Sequence, residues 1–115
     1  MNLLSETKKV LSDNGKTPKD VRWVGTRHIA ATWGNFAQVA NVEYSAGFGA
    51  PQVAQDLIIV GDGWWMERHE YDGSEWWEFK EMPDMPLAEV VVKVVVVSEE
   101  EVGWVNLMDI KTNKP

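Results

Sequence analysis

A chain of 115 residues has room for one domain with a hydrophobic core of its own. With no cysteine it carries no disulfide framework, zinc–thiolate site or thiol nucleophile. Its 18 acidic and 11 basic side chains leave a formal net charge of -7, the reverse of what a free-standing nucleic-acid binder needs, and 44% hydrophobic residues exclude intrinsic disorder.

Residues 3–13 read as a helix, with Leu3, Leu4, Val10 and Leu11 on one face and Glu6, Lys8, Lys9 and Asp13 on the other. Asn14-Gly15 tolerates the positive φ that ends it. After the Lys16-Thr17-Pro18-Lys19 linker, residues 21–24 read as a strand closed by Gly25, and residues 28–31 as a second short strand. Thr32 is placed to cap a helix in which Trp33, Phe36, Ala37 and Ala40 fall at i, i+3, i+4 and i+7. Residues 42–44 return to extended structure, and residues 45–51 form a glycine-punctuated loop.

Residues 57–60, 64–71 and 75–80, separated by Gly61-Asp62-Gly63 and Asp72-Gly73, predict a three-stranded antiparallel meander. A two-residue turn at Asp72-Gly73 sets Met66 opposite Phe79 and Arg68 opposite Trp77, together with two like-charge pairs, Glu67–Glu78 and Glu70–Glu75. A three-residue turn shifts the register by one and sets Arg68 opposite Glu78 and His69 opposite Trp77. Opposed like charges are unfavourable by ~0.2–1 kcal/mol, so the three-residue turn is the expectation.

Pro83 and Pro86 break the sheet, since neither donates to a ladder. Residues 89–97 carry the strongest strand propensity, seven valines around Lys93, which acts as a gatekeeper against edge aggregation. Ser98-Glu99-Glu100-Glu101 reads as a solvated acidic loop. Trp104, Leu107, Met108 and Lys111 sit at a spacing that suits a short closing helix as well as a strand, followed by a polar tail over residues 111–115. The expected architecture is a single α+β domain: a mostly antiparallel four- to five-stranded sheet with an N-terminal helix and one short helix packed on it. Residues 1–15 supply the helix and linker, residues 20–82 the α+β core with the β-meander at 57–80, and residues 87–110 the Val-rich strand and closing segment.

Charge is spread unevenly. Residues 1–27 hold six basic and three acidic side chains, whereas residues 62–101 hold 12 acids against Arg68, Lys80 and Lys93. Such asymmetry steers a basic partner toward the acidic part, besides keeping the chain soluble. Met1-Asn2-Leu3-Leu4-Ser5-Glu6 lacks the features of a signal peptide, and the most apolar run, residues 90–97, is far shorter than the ~20 residues that span a bilayer. A cytoplasmic protein with no membrane partner is expected.

Little in the chain points to bond-making chemistry. The histidines are His28 and His69; on a strand Glu67, His69 and Tyr71 share a face, but one local imidazole does not make a metal site. Cross-strand packing is its ordinary role. The carboxylates Glu75 and Glu78, or Glu67 and Glu70, suit acid–base work only where two carboxyls face one cleft in environments that split their pKa values. Ser45, Ser74 and Ser98 lack a Gly-x-Ser-x-Gly context. Gly47-Phe48-Gly49 precedes no Gly-Lys-Ser/Thr, so it reads as a connector or as a binding loop presenting Phe48. No cofactor, metal or catalytic residue is expected.

Seven tryptophans are the outlier in composition. Trp64-Trp65 and Trp76-Trp77 lie on adjacent expected strands, so each pair supplies one indole to each face of the sheet. One face packs under the helices. The other is either covered by the Val-rich strand or C-terminal segment, or stands open as an aromatic platform ringed by acids that suits a peptide, a sugar or an Arg/Lys-rich surface. The candidate protein-binding residues are Trp65, Glu67, His69, Glu75, Trp76, Glu78 and Glu81. Val92, Lys93 and Val94 are the candidate edge for pairing with a second copy.

The segment His69-Glu70-Tyr71-Asp72-Gly73-Ser74-Glu75-Trp76-Trp77-Glu78-Phe79, with Gln55-Asp56-Leu57-Ile58-Ile59-Val60 and Gly47-Phe48-Gly49 upstream, resembles small uncharacterised proteins of bacteriophages, prophages and other mobile elements over residues 20–82. The resemblance brings no catalytic residues. It implies an acidic, non-enzymatic module that binds a host protein with a basic surface, as an anti-defence inhibitor such as an anti-CRISPR does, without direct nucleic-acid contact. The alternatives are a phage structural or self-assembling protein, here a homodimer, and a small hydrolase or carbohydrate-binding protein using Glu67, His69 and Glu78.

Overall fold

The computed structural model describes residues 1–47, 49–97, 106–110 and 113. Contacts divide the chain into two units, Met1–Pro83 and Asp84–Pro115.

The first unit opens on helix α1 (Leu3–Asp13). The Asn2 side chain accepts the Ser5 amide at 3.0 Å and so caps it, and Gly15 leaves it at φ +71°. A 3₁₀ turn (Pro18–Asp20) leads into β1 (Val21–Gly25), which folds back on the two-residue strand β2 (Ala30–Ala31). Gly25 is required at this fold-back, because a Cβ there would fall 2.1 Å from the Ile29 carbonyl oxygen. His28 and Ile29, expected in the second strand, belong instead to a turn: the Thr26 hydroxyl accepts both of their amides, at 3.1 and 3.3 Å. Thr32 then caps α2 (Trp33–Ala40) by accepting the Asn35 amide. Of residues 42–44, expected to be extended, only Glu43 pairs, in an isolated antiparallel bridge with Asn2, beside which the Leu3 amide donates to the Val42 carbonyl at 3.1 Å.

The meander follows as β3 (Ile58–Gly61), β4 (Trp64–Tyr71) and β5 (Ser74–Glu81). The five strands make one antiparallel sheet in the order β2-β1-β3-β4-β5. The fold is therefore α+β, with an N-terminal helix and one further short helix. Both helices contribute to a core on one side of the sheet. Val24, Ile59, Trp64, Met66 and Trp77 are buried there with Leu3, Leu11, Phe36, Ala40 and Val53. Burial of such large apolar side chains contributes about 1.5–3 kcal/mol each. The Thr7 hydroxyl on α1 accepts the buried Trp77 indole N–H at 2.8 Å and donates to the Leu3 carbonyl at 2.7 Å, so the one polar atom of the ring is satisfied.

The β4–β5 register corrects the expected one. The turn is the two-residue one: Tyr71 pairs with Ser74, Arg68 with Trp77, and Glu67 and Glu70 directly face Glu78 and Glu75. Asp72 and Gly73 take φ +49° and +84°, the pair of positive values that a type I′ turn needs and that matches strand twist. Burial decides against the alternative. A one-residue slip would turn Trp77 and Phe79 out of the core and bring Trp76 and Glu78 in, a loss larger than two surface repulsions. One of those repulsions is in any case relieved, because Glu75 turns inward to a cation while Glu70 stays exposed.

The Val-rich strand is the second correction. In the Asp84–Pro115 unit, residues 84–97 contain no strand. Propensity describes how a segment fits a pleated sheet and supplies no partner for its backbone, so seven valines without an adjacent edge remain unladdered. Leu107–Asp109 form a single 3₁₀ turn in place of the expected closing helix or strand. Phe48, the acidic loop, Trp104 and Lys111 lie outside the described residues.

Candidate functional site

The alternation that fills the core sets a second series of residues on the opposite face of the sheet, which neither helix covers. Register aligns them in rows across the strands. Trp23, Val60, Trp65 and Lys80 form one row, and Ile58, Glu67 and Glu78 the next, with His69 opposite Trp76 beyond. These side chains are half-buried, except Trp76, which is 36% exposed.

Glu67 is the organising group of this face. Residues two apart on a strand lie on one side, so Trp65 and His69 flank it. Its carboxylate accepts the Trp65 indole N–H at 3.2 Å and lies 3.0 Å from His69 Nε2. The His69 contact, more than the indole, holds the Glu67 carboxyl below its ordinary value. Glu67 is thus an anion held in place by two neighbours, with a second carboxylate, Glu78, directly across the ladder. The exposed and half-buried charges of the hairpin are Glu67, Glu70, Asp72, Glu78 and Glu81 against Lys80.

A cleft of about 700 Å³ opens beside this row. Ile58, Val60, Trp65, Glu67, Arg68 and His69 of the sheet line it; Arg27 and His28 come from the β1–β2 turn, and Gln55 and Asp56 from the segment before β3. Both histidines of the chain therefore reach one cavity. Sequence reasoning left out Arg27, His28, Gln55 and Asp56; the readable signal was Gly25-Thr26, a fold-back glycine followed by a turn-capping hydroxyl. Among the described residues no three His, Asp or Glu side chains are arranged to hold a metal ion.

The structure brings Trp65, Glu67, His69, Trp76 and Glu78 together on this face. Two of the other expected binding residues are elsewhere. Glu75 has the opposite parity and is 4% exposed in the core, where it accepts Arg68 Nη2 at 2.9 Å and the amides of Gln52 and Val53 at 2.7 and 3.2 Å. Burial alone would raise its carboxyl; the Gln52 amide, Arg68 and the Val53 amide outweigh burial and hold it below its ordinary value. Glu75 thus ties the loop before β3 to the hairpin and is no part of a surface. Glu81 pairs with Trp64, so it too has core parity, and it sits exposed at the end of the hairpin.

Arg68 completes this internal network. Its guanidinium lies 3.4 Å from Glu6, donates to the Tyr44 hydroxyl at 3.2 Å and stacks 4.9 Å from the Trp77 ring centroid. Tyr44 in turn donates to Glu6. Burial, then the Glu6 carboxylate, pushes the Tyr44 hydroxyl up to about 12.

In the second unit, Val92 and Lys93 are exposed and Val94 is half-buried. The Asn113 side chain bonds both backbone groups of Val94, at 3.2 and 2.6 Å, and the Lys93 amide at 2.8 Å. No helix among the described residues is long and apolar enough to cross a membrane. No protein-family model matches this chain, and neither a curated protein nor a solved structure matches it.

Proposed function

We infer that this protein is a binding module that holds a basic segment of another protein on the open face of its sheet. The observation that carries this reading is the direct cross-strand pairing of Glu67 with Glu78 beside the half-exposed Trp76. Two opposed carboxylates raise the free energy of the isolated sheet, and an arriving guanidinium or ammonium removes that cost. Trp65 and Trp76 offer flat surfaces on which such cations stack. The cleft, with the held Glu67 carboxylate in its lining, receives a side chain that the flat part of the face cannot enclose. Inhibition of a host protein by a phage-borne module, which the resemblance to mobile-element proteins implies, is the specific form of this reading.

A short arginine-rich peptide is the probe, with tryptophan fluorescence as readout. Binding should weaken steeply between ~50 and ~200 mM salt. Replacing Glu67 and Glu78 together by Gln should weaken it at least about tenfold, a loss of about 1.4 kcal/mol. Salt-insensitive binding, or binding unchanged by that double substitution, overturns the reading.

A further inference from the structure

The surface of the Asp84–Pro115 unit carries a feature that the open sheet face does not use. Residues 87–95 run Leu-Ala-Glu-Val-Val-Val-Lys-Val-Val. Their large apolar side chains stand in solvent: Val91 is 79% and Val95 72% exposed, and Leu87, Val90 and Val92 are exposed as well. A run of β-branched residues left open in this way is an association surface, and its charges specify what can cover it.

We propose that residues 87–95 pair with the same residues of a second copy of this chain, as a two-fold antiparallel β-ribbon centred on Val91. In that register Glu89 stands opposite Lys93 of the copy, and Lys93 opposite the copy's Glu89, so the ribbon holds two opposite-charge pairs and leaves neither charge of the segment unmatched. Val90 meets Val92, Ala88 meets Val94 and Leu87 meets Val95. Competing pairings are worse. A parallel in-register pair sets Lys93 against Lys93 and Glu89 against Glu89. Moving the two-fold axis to Val92 leaves Lys93 facing Val91 and Glu89 facing Val95, with neither charge matched.

The backbone also distinguishes the two edges. In a strand, the N–H and C=O of Val94 point to the same side as those of Val90 and Val92, while Glu89, Val91 and Lys93 present theirs to the other. The Asn113 amide occupies both groups of Val94. The edge bearing Glu89, Val91 and Lys93 is therefore the one left for the copy, and forming the ribbon transfers only the Lys93 amide from Asn113 to the new ladder. The interface is isologous, so it closes at two chains along this edge.

The test uses the full chain and measures mass in solution between about 1 and about 500 µM. A concentration-dependent dimer is expected. Glu89→Lys alone, or Lys93→Glu alone, sets two like-charge pairs in the ribbon and should weaken dimerisation at least about tenfold, whereas the double exchange restores it. Because the chain has no cysteine, Val91→Cys should oxidise to a covalent dimer, and Val90→Cys much less. A monomer at every concentration overturns the proposal. So does association that ignores the charge exchange, or cross-linking equal at both positions. The tryptophan near-ultraviolet signal, unchanged in these variants, verifies that the Met1–Pro83 unit keeps its fold. None of these outcomes bears on peptide binding by Glu67 and Glu78, so the two readings stand or fall separately.

Discussion

The two faces of the β4–β5 hairpin are built from the same residue types and do opposite things. On the inner face Arg68, Glu75, Glu6, Tyr44 and Trp77 form a closed network in which a buried cation meets two carboxylates and two rings. On the outer face Glu67, Glu78, His69, Trp65 and Trp76 sit at the alternate positions, where Glu67 leans on His69 and the Trp65 indole and directly faces a second carboxylate, Glu78. Glu75-Trp76-Trp77-Glu78 holds one Trp and one Glu for each side. The difference lies in parity alone, and it teaches that a Trp-Glu pair is core or outer surface according to which neighbour the pleat assigns it.

Breaking the inner face should have the largest effect. Arg68→Ala leaves the Glu6 and Glu75 carboxylates without their cation, the latter 1% exposed in its side chain, and should cost about 3–5 kcal/mol in urea denaturation. A loss below about 1 kcal/mol would mean that the network is dispensable and that the two faces differ less than their geometry implies.

The pH dependence sharpens the same contrast. The folded Glu75 and Glu67 carboxyls lie below their ordinary value of 4.5. Their stabilisation is complete above that value and is lost as the pH falls through the folded values. Tyr44 has the opposite sign. Its folded value of about 12 lies above the ordinary 10.0, so its contribution is complete below pH 10 and disappears as the pH rises toward 12. Urea midpoints measured across pH should fall at both ends. Substituting Tyr44 by Phe should remove the alkaline loss and leave the acid one.

The outer face should give the smallest change, with the sign reversed. Glu78→Lys places a cation opposite Glu67 and should stabilise the fold by ~0.2–1 kcal/mol. The same variant should bind the arginine-rich peptide at least about tenfold more weakly. Stability gained where affinity is lost is the behaviour of a contact surface. A destabilised Glu78→Lys would place Glu78 in the structural framework instead.

Much of this was legible in local pattern. Asn14-Gly15, Thr32 and the i, i+3, i+4, i+7 series mark both helices, because capping and amphipathic spacing act over a few residues. The meander was legible for the same reason, and so was the shared face of Trp65, Glu67 and His69; Trp76 and Glu78 join that face only in the two-residue register, which the sequence expectation set aside. The hairpin register was misjudged because opposed like charges were weighed without the inward rotation of Glu75, which depends on Arg68 and on amides more than 20 residues away. His28 was missed at the cleft because only the Thr26-centred turn carries it across to β4.

The amino-acid order by itself determined both helices, the β3–β5 meander with its turns, and the spacing of acids and indoles along the hairpin, since steric preference, caps and side-chain alternation are properties of neighbouring residues. Only the tertiary structure decided which carboxylates are sealed and which are free, which histidines share a cavity, and that seven valines do not by themselves make a strand. Those outcomes depend on which remote backbone or cation lies alongside, and the free energy of burial is settled only when the whole sheet is assembled.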